Sequence, residues 1–543
     1  MSLTPVAQFG FDSVELLARE DAELAASLGV PSEGLTDYSP AAWQRRTDTI
    51  EGLLAEAKSL QSTNEDDRIA LDVIIERLSA MAALASERHH LRDLNVLTNP
   101  AQGIRTTLEL VLPQHGVAEV TDRLRAVPKA LSSWRESLLE GAARGEPAAQ
   151  RQSVAIAEQM DYLGRDWLQT QIGNLAGNDD LNQAAEAAAA AFAKTSTWLA
   201  DVYVSMARPG DAVGEESLCL HAQFFSGMEV DLDEAFRWGL AEMERLGAEM
   251  RLEVQRLEPG LQLSEARDFL MEQSRYRIRD VAELEGYLAD LTAQAVEQLD
   301  GKIFTIDPRV RELEIKIAPE EDTGLPYYLP PSEDLTRPGS VWLPVSDARV
   351  FDRFWLDSMW FHEGIPGHHL QLGAVAVQPD LNRFQRSLGA TSGHDEGWAC
   401  YAERLCDELE WFEDPGMRLG YLSWQMVRAI RLVADIGLHT GREIPGGYAD
   451  AGARITPDFV ASLLCKRALA SRDFAYSEVN RYLGAPGQAM SYKLGEREWL
   501  AARAESEKVW GPDFDLRKWH DQALKLGPMG LAQFRREIAH LNR

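Results

Sequence analysis

Apolar residues recur at three- and four-residue spacing through most of this 543-residue chain, and that period commits it to helices. The spacing predicts helices over Asp48–Leu60, Asp66–Ser86, Val117–Ala143 and Gln150–Ile172. Another is expected over Asn182–Met206, where the alanine-rich run Ala184 to Ala191 has strong helix propensity. Further helices are expected at Leu232–Leu257, Ser264–Gln273, Asp280–Leu299, Asp352–Phe361, Asp395–Trp411, Met417–His439, Thr456–Arg472 and Gln488–Val509. Asn480–Gly487 reads as a loop, and the tail from Asp513 to His540 as helical. The texture changes in one place: Leu313–Ile317, Tyr327–Leu329 and Val341–Val345 look like short strands, parted by Pro330-Pro331-Ser332 and Thr336-Arg337-Pro338-Gly339.

The expected fold is therefore mainly α, with a small β element that serves either as a plain hairpin or as an edge for an extended ligand. Residues 1–225 are expected to form a helical region walling or covering a cleft. Residues 226–543 are expected to carry the chemistry, and the two to form one continuous structural unit.

Composition narrows the function classes. Hydrophobic residues at 45% and charged residues at 26% suit a soluble globular protein. The net charge of −31, from 86 acidic and 55 basic residues, argues against nucleic acid and anionic membrane as partners. No run approaches 18 uninterrupted apolar residues, so no membrane span is expected. The first residues lack a basic segment followed by an apolar one, and the four cysteines show no CxxC spacing. Reduced thiols in a cytoplasmic protein are the expectation, with Cys400 and Cys406 as small core residues.

The chemistry concentrates in Phe361-His362-Glu363-Gly364-Ile365-Pro366-Gly367-His368-His369, which holds three of the 11 histidines. A His-Glu pair on a helix with a further histidine beyond it is how zinc peptidases hold metal and place a base beside it. The ordinary spacing is H-E-x-x-H, and here the fourth residue after His362 is Pro366. A proline there has no N–H to give the His362 carbonyl, and its ring clashes with that carbonyl. A break over residues 363–367 is thus expected, with Gly367 supplying backbone freedom. The break absorbs two residues and returns either His368 or His369 to the side of His362. Glu363 stands where a carboxylate takes a proton from water. A third ligand is sought on a later helix, where His394-Asp395-Glu396 supplies candidates and Cys400 and Glu403 share the Glu396 face.

HEGIPGHHLQ followed by DEGWACYAERL resembles the signature of a bacterial family called domain of unknown function 885, whose members carry H-E-x-x-P-G-H-H and E-G-W-A. The resemblance runs from about Tyr327, through YYLPPSEDLTRPG, to RYLGAPGQAMSYKLG. It implies a gluzincin-type fold similar to the Taq-type zinc metallocarboxypeptidases, with one zinc ion (another divalent metal being admissible) on His362, Glu396 and either His368 or His369. His368 is the preferred second histidine because the proline makes a straight helix unfavourable. It implies Glu363 as base and a tyrosine over the oxyanion, for which Tyr492 is the leading match and Tyr482 the second.

Arg428, Arg431, Asp435 and His439 form a polar row on an otherwise apolar helix. They read either as a salt-bridge network or as groups serving the site, His439 at the oxyanion and an arginine on a substrate carboxylate. Arg337 is a further candidate for substrate contact. The expected function is a zinc-dependent peptidase, a carboxypeptidase or oligopeptidase using metal-activated water on a peptide or small amide. Alternatives are a metal-dependent amidase acting on a non-peptide amide, and a helical binding protein that has lost the metal. A homodimer is compatible with the sequence.

Overall fold

Helices begin in this chain where a short polar side chain can accept from the first turn, and proline often follows it. Asn178 accepts from Leu181 N–H, Asp231 from Asp233 and Glu234, Thr391 from His394, and Asp414 from Gly416 and Met417 with Pro415 next to it. The computed structural model describes residues 3–32, 34–112, 116–173, 178–319, 326–345 and 351–542. It is 71% helix and 4% strand, so the mainly α expectation holds.

Several expected boundaries move for identifiable reasons. Gln150–Ile172 is interrupted by a π-type turn at Leu163–Trp167, where Gly164 lies so close to Phe192 that an added Cβ would meet the Phe192 Cβ at 2.8 Å. The expected Thr456–Arg472 helix stops at Arg467, because Leu469 adopts a left-handed backbone (φ 55°) while its side chain stays buried. A new helix then runs Arg472–Gly484, so most of the expected loop Asn480–Gly487 is helical. The tail is two helices, Leu516–Lys525 and Leu531–Leu541, parted by Gly527 at φ 74°.

The chain divides into two compact units, Met1–Ala212 with Leu483–Ala485, and Val213–Tyr482 with Pro486–Arg543. In the first, the helices Val117–Ala143 and Asp179–Asp201 lie along each other. Trp134, Leu131, Met160, Trp167 and Phe192 fill its core, and Ala184, Ala185 and Ala188 make the buried face of the alanine-rich helix.

The second unit begins with α1 (Glu215–Ser226) and α2 (Leu232–Leu257). The position 225 expected as a boundary thus falls inside α1, which packs on three later helices of this unit. A three-stranded sheet follows, of β1 (Glu314–Pro319), β2 (Tyr327–Leu329) and β3 (Ser340–Val345). The middle strand β3 pairs parallel with β1 and antiparallel with β2, with Tyr328 opposite Val341. Val341 and Leu343 point into the core.

Five helices build the rest of the unit that matters here: α3 (Arg353–Glu363), α4 (His368–Ala376), α5 (Ser392–Glu408), α6 (Pro415–Thr440) and, after α7 (Arg472–Gly484), α8 (Ser491–Trp510). Helix α6 is buried along most of its length, polar row included, and packs on α2, α3 and α8. Helices α5 and α8 cross closely. A Cβ on Gly397 would lie 2.5 Å from Gly495 Cα, and one on Gly495 would lie 1.9 Å from the Gly393 carbonyl oxygen. Glycine at these positions lets two backbones touch. Beside the crossing, Trp398, Tyr401, Trp499, Trp519 and Phe534 stack as one buried aromatic cluster. Each such ring removes roughly 200 Å² from water, about 5 kcal/mol of transfer free energy.

Candidate metal centre

Helix α3 ends at Glu363 and α4 begins at His368, with a turn between them. This is the break expected from Pro366. The turn is tight enough that a Cβ on Gly367 would sit 1.9 Å from the His362 carbonyl oxygen, so only glycine fits. It is held from α5: the Trp398 indole N–H donates to the carbonyls of Pro366 and Gly367 at 3.0 and 3.1 Å. Trp398 follows Glu396 by two residues, so the helix bearing the glutamate also clamps the turn that brings His368 round.

Three ligand atoms converge as a result. His362 Nε2 lies 3.1 Å and His368 Nε2 3.3 Å from Glu396 Oε2, and the two imidazoles stand edge to face with centroids 4.8 Å apart. Ligands about 2.0–2.1 Å from a tetrahedral zinc ion are about 3.3–3.4 Å apart, so the spacing fits. His369 turns away. Its Nε2 faces the Val310 carbonyl at 2.8 Å and so carries the hydrogen, and its Nδ1 accepts from Tyr328 O–H at 3.0 Å. Burial pushes its pKa down to about 4. Gly339 makes room for this pair, since a Cβ there would lie 2.1 Å from Tyr328 Oη.

A buried carboxylate lies behind His362. His362 Nδ1 is 2.8 Å from Glu403 Oε1, and Glu403 also accepts from Ser358 Oγ at 2.5 Å and Arg428 Nη1 at 3.0 Å. Burial works against a charged Glu403, but Arg428 and the hydrogen bonds outweigh it and hold its carboxyl below the usual range. A divalent cation beside Glu396 would take the Nε2 lone pair and leave the Nδ1 hydrogen to Glu403. Without a cation the same 3.1 Å contact is a hydrogen bond from imidazole to carboxylate, and with one both groups turn a lone pair to it. The donor set therefore fits a divalent cation, with Glu403 orienting the histidine from behind. His368 is held less firmly: its Nδ1 is buried with no hydrogen-bond partner among the described residues. Despite burial, the two imidazoles keep Glu396 well below the ordinary carboxylate range.

A second convergence, His362 with Cys400 and Glu403, suits a cation poorly. Arg428 Nη2 is 2.7 Å from Glu403 and 3.1 Å from His362 Nδ1, so positive charge already occupies that side. Cys400 is fully buried, and burial drives its thiol well above its usual range.

Glu363 points to no partner: its carboxylate takes no hydrogen bond from any described residue. Burial pushes its pKa up to about 8, opposed by His368 and assisted by Glu396. The Tyr492 ring is stacked toward His362 at 6.4 Å between centroids.

The family described as "Bacterial protein of unknown function (DUF885)" matches residues 23–538. The chain belongs to that family. Among solved structures, a "putative lipoprotein" from Colwellia psychrerythraea is similar over 99% of this chain and 98% of its own, with a TM-score of 0.85 at 20% identity. A "putative lipoprotein of unknown function" from Shewanella oneidensis is similar over 99% and 100%, with a TM-score of 0.73 at 20% identity. These likenesses speak to fold. No curated protein matches. Among the described residues no helix is long and apolar enough to cross a membrane.

Other expected site residues of this DUF885 chain are engaged within the protein. Arg428 serves Glu403, as described. Arg431 Nε donates to Glu478 at 2.7 Å, and Tyr482 O–H donates to the same carboxylate oxygen at 2.8 Å. His439 Nε2 is 2.9 Å from the Tyr482 carbonyl, and a carbonyl only accepts, so that hydrogen is spent on the main chain rather than on an oxyanion. Arg337 braces the loop between β2 and β3 through the Pro330 carbonyl at 2.9 Å. His394 faces Gln371 and stacks near Trp499. Sequence reasoning gave no role to Glu403, Trp398, Arg481 or Gln488. The one available signal was that Glu403 shares a helical face with Glu396, seven residues on.

Proposed function

We propose that this chain is a zinc-dependent hydrolase of peptide bonds, with His362, His368 and Glu396 as the metal ligands and Glu363 as the base. The observation that carries the reading is the convergence of His362 Nε2, His368 Nε2 and Glu396 Oε2 within metal-ligand spacing, beside a buried carboxylate that no described residue hydrogen-bonds. A zinc ion held there supplies Lewis-acid polarisation of a carbonyl and acidifies a water molecule.

The chain's own groups account for the remaining steps. Glu363, raised by burial, takes a proton from the attacking water and returns it to the leaving amine. Glu403 keeps the hydrogen of His362 on Nδ1, so Nε2 stays a ligand. The Tyr492 hydroxyl donates to the oxygen that gains charge as the carbonyl is attacked. The resemblance to Taq-type carboxypeptidases favours a carboxypeptidase or oligopeptidase. A mixed-peptide digest with the zinc-loaded chain tests the reading. Glu363→Gln is expected to retain zinc and fold and to lose at least 10²-fold in kcat, on the scale of acid–base catalysis. Undiminished hydrolysis by that variant would refute the mechanism.

A further inference from the structure

The Tyr492 hydroxyl oxygen is surrounded by groups that donate to it. Arg481 Nη2 donates at 2.6 Å, and Gln488 Nε2 lies 3.4 Å away. The Gln488 amide is oriented by Arg481, whose Nη2 donates to its Oε1 at 2.9 Å, which turns the nitrogen toward the phenol and toward Ser392 Oγ, also 3.4 Å away. A guanidinium has no acceptor atom. The phenolic oxygen therefore receives hydrogens from both neighbours, and its own hydrogen goes to neither. An oxygen loaded in this way is a stronger donor through its own O–H, which no described residue accepts.

The ring is fixed as well. The Arg431 guanidinium lies 4.4 Å from its centroid, and the ring plane is within 12° of the His362 imidazole. Arg481 is not placed as a simple ion pair for Glu478. Its contact to Glu478 Oε1 is 3.4 Å, against 2.6 Å to the phenol, and its buried Nε has no partner among the described residues. Arg431, by contrast, uses its Nε directly on Glu478 at 2.7 Å.

We propose that Arg481, with Gln488, is a positioning residue that aims the Tyr492 O–H at the oxyanion formed when a substrate carbonyl is attacked beside His362, His368 and Glu396. The inference rests on the hydrolase reading above. The proton stays on Tyr492 throughout: it is shared as a hydrogen bond while the oxyanion exists and is released when the carbonyl re-forms. Arg481 makes and breaks no covalent bond.

The test uses the whole zinc-loaded chain and an acetyl-capped phosphinic pseudodipeptide, whose tetrahedral phosphinate carries the charge of the oxyanion. Affinity is read by calorimetry and folding by circular dichroism. Tyr492→Phe is expected to weaken binding on the order of 10²-fold, the scale for one oxyanion donor, and Arg481→Met by about tenfold through the same donor. Arg481→Lys, which keeps a cationic donor, should recover most of that loss. The double variant should bind as Tyr492→Phe does, and acetyl-dialanine, lacking the tetrahedral charge, should bind every variant alike. Losses that add in the double variant, or an Arg481→Met variant equal to wild type, overturn the inference. Should Arg481→Met not fold, Gln488→Met gives the same comparison: its loss must vanish in the Tyr492→Phe background. A wild-type chain that holds zinc yet ignores the phosphinate sinks the hydrolase reading and this inference with it; binding without coupling sinks this inference alone.

Discussion

Replacing Gly397 with alanine places a methyl group where helices α5 and α8 touch. The new Cβ would stand 2.5 Å from Gly495 Cα, whereas carbon atoms rest at about 3.5–4.0 Å. The helices must part by about 1 Å, and overpacking of this kind costs about 1–3 kcal/mol. Glu396 is the preceding residue on α5, while His362 and His368 belong to α3 and α4, so the carboxylate moves relative to the histidines. Metal sites tolerate about 0.2 Å in ligand distance, and a shift several times larger should lower zinc affinity at least about tenfold, the lower end of what disturbed ligand support costs. Urea unfolding measures the first effect and competition with a fluorescent chelator the second. A Gly397→Ala variant with wild-type stability would refute the close crossing. One that is destabilised but binds zinc normally would refute the link between the crossing and the site.

Two further outcomes are expected. Glu403→Gln removes the counter-charge of buried Arg428 and one of the two acceptor oxygens that Ser358, His362 and Arg428 share; unfolding should show a loss of about 3–5 kcal/mol, and zinc affinity should fall about 10- to 100-fold, with an unchanged variant counting against the orienting role. His520 is buried neutral, its Nδ1 donating to the Ile303 carbonyl at 3.0 Å and its Nε2 accepting from Tyr401 O–H at 2.7 Å, and burial pushes its pKa down to about 3. Because the folded value lies below the unfolded one, the unfolded chain binds the extra proton and stability is lost as pH falls from about 6.5 toward 3. Relative to His520→Gln, the wild type should lose up to about 1.4 kcal/mol per pH unit in that window; a pH-independent difference would contradict the buried neutral assignment.

The helices were legible because apolar spacing and capping residues are local signals, and Pro366 announced the break between α3 and α4 for the same reason. Boundaries failed where tertiary packing overrode local preference, as at Leu469, which takes a left-handed backbone to keep its side chain buried. The choice between His368 and His369 stayed open in sequence because it depends on Val310 and Tyr328, remote in the chain, which occupy both nitrogens of His369. Arg428, Arg431 and His439 looked available because a helical row shows charge but not partners; Glu403, Glu478 and the Tyr482 carbonyl supply those partners from elsewhere. Trp398 was readable as an apolar residue only, since its indole N–H acts on a turn about 30 residues earlier.

The most direct test of the central claim is anomalous diffraction at the zinc edge from crystals of the zinc-loaded chain. A single peak is expected, about 2.0–2.2 Å from His362 Nε2, His368 Nε2 and a Glu396 carboxylate oxygen. Absence of a peak there, or a peak on His369 or between Cys400 and Glu403, would contradict it.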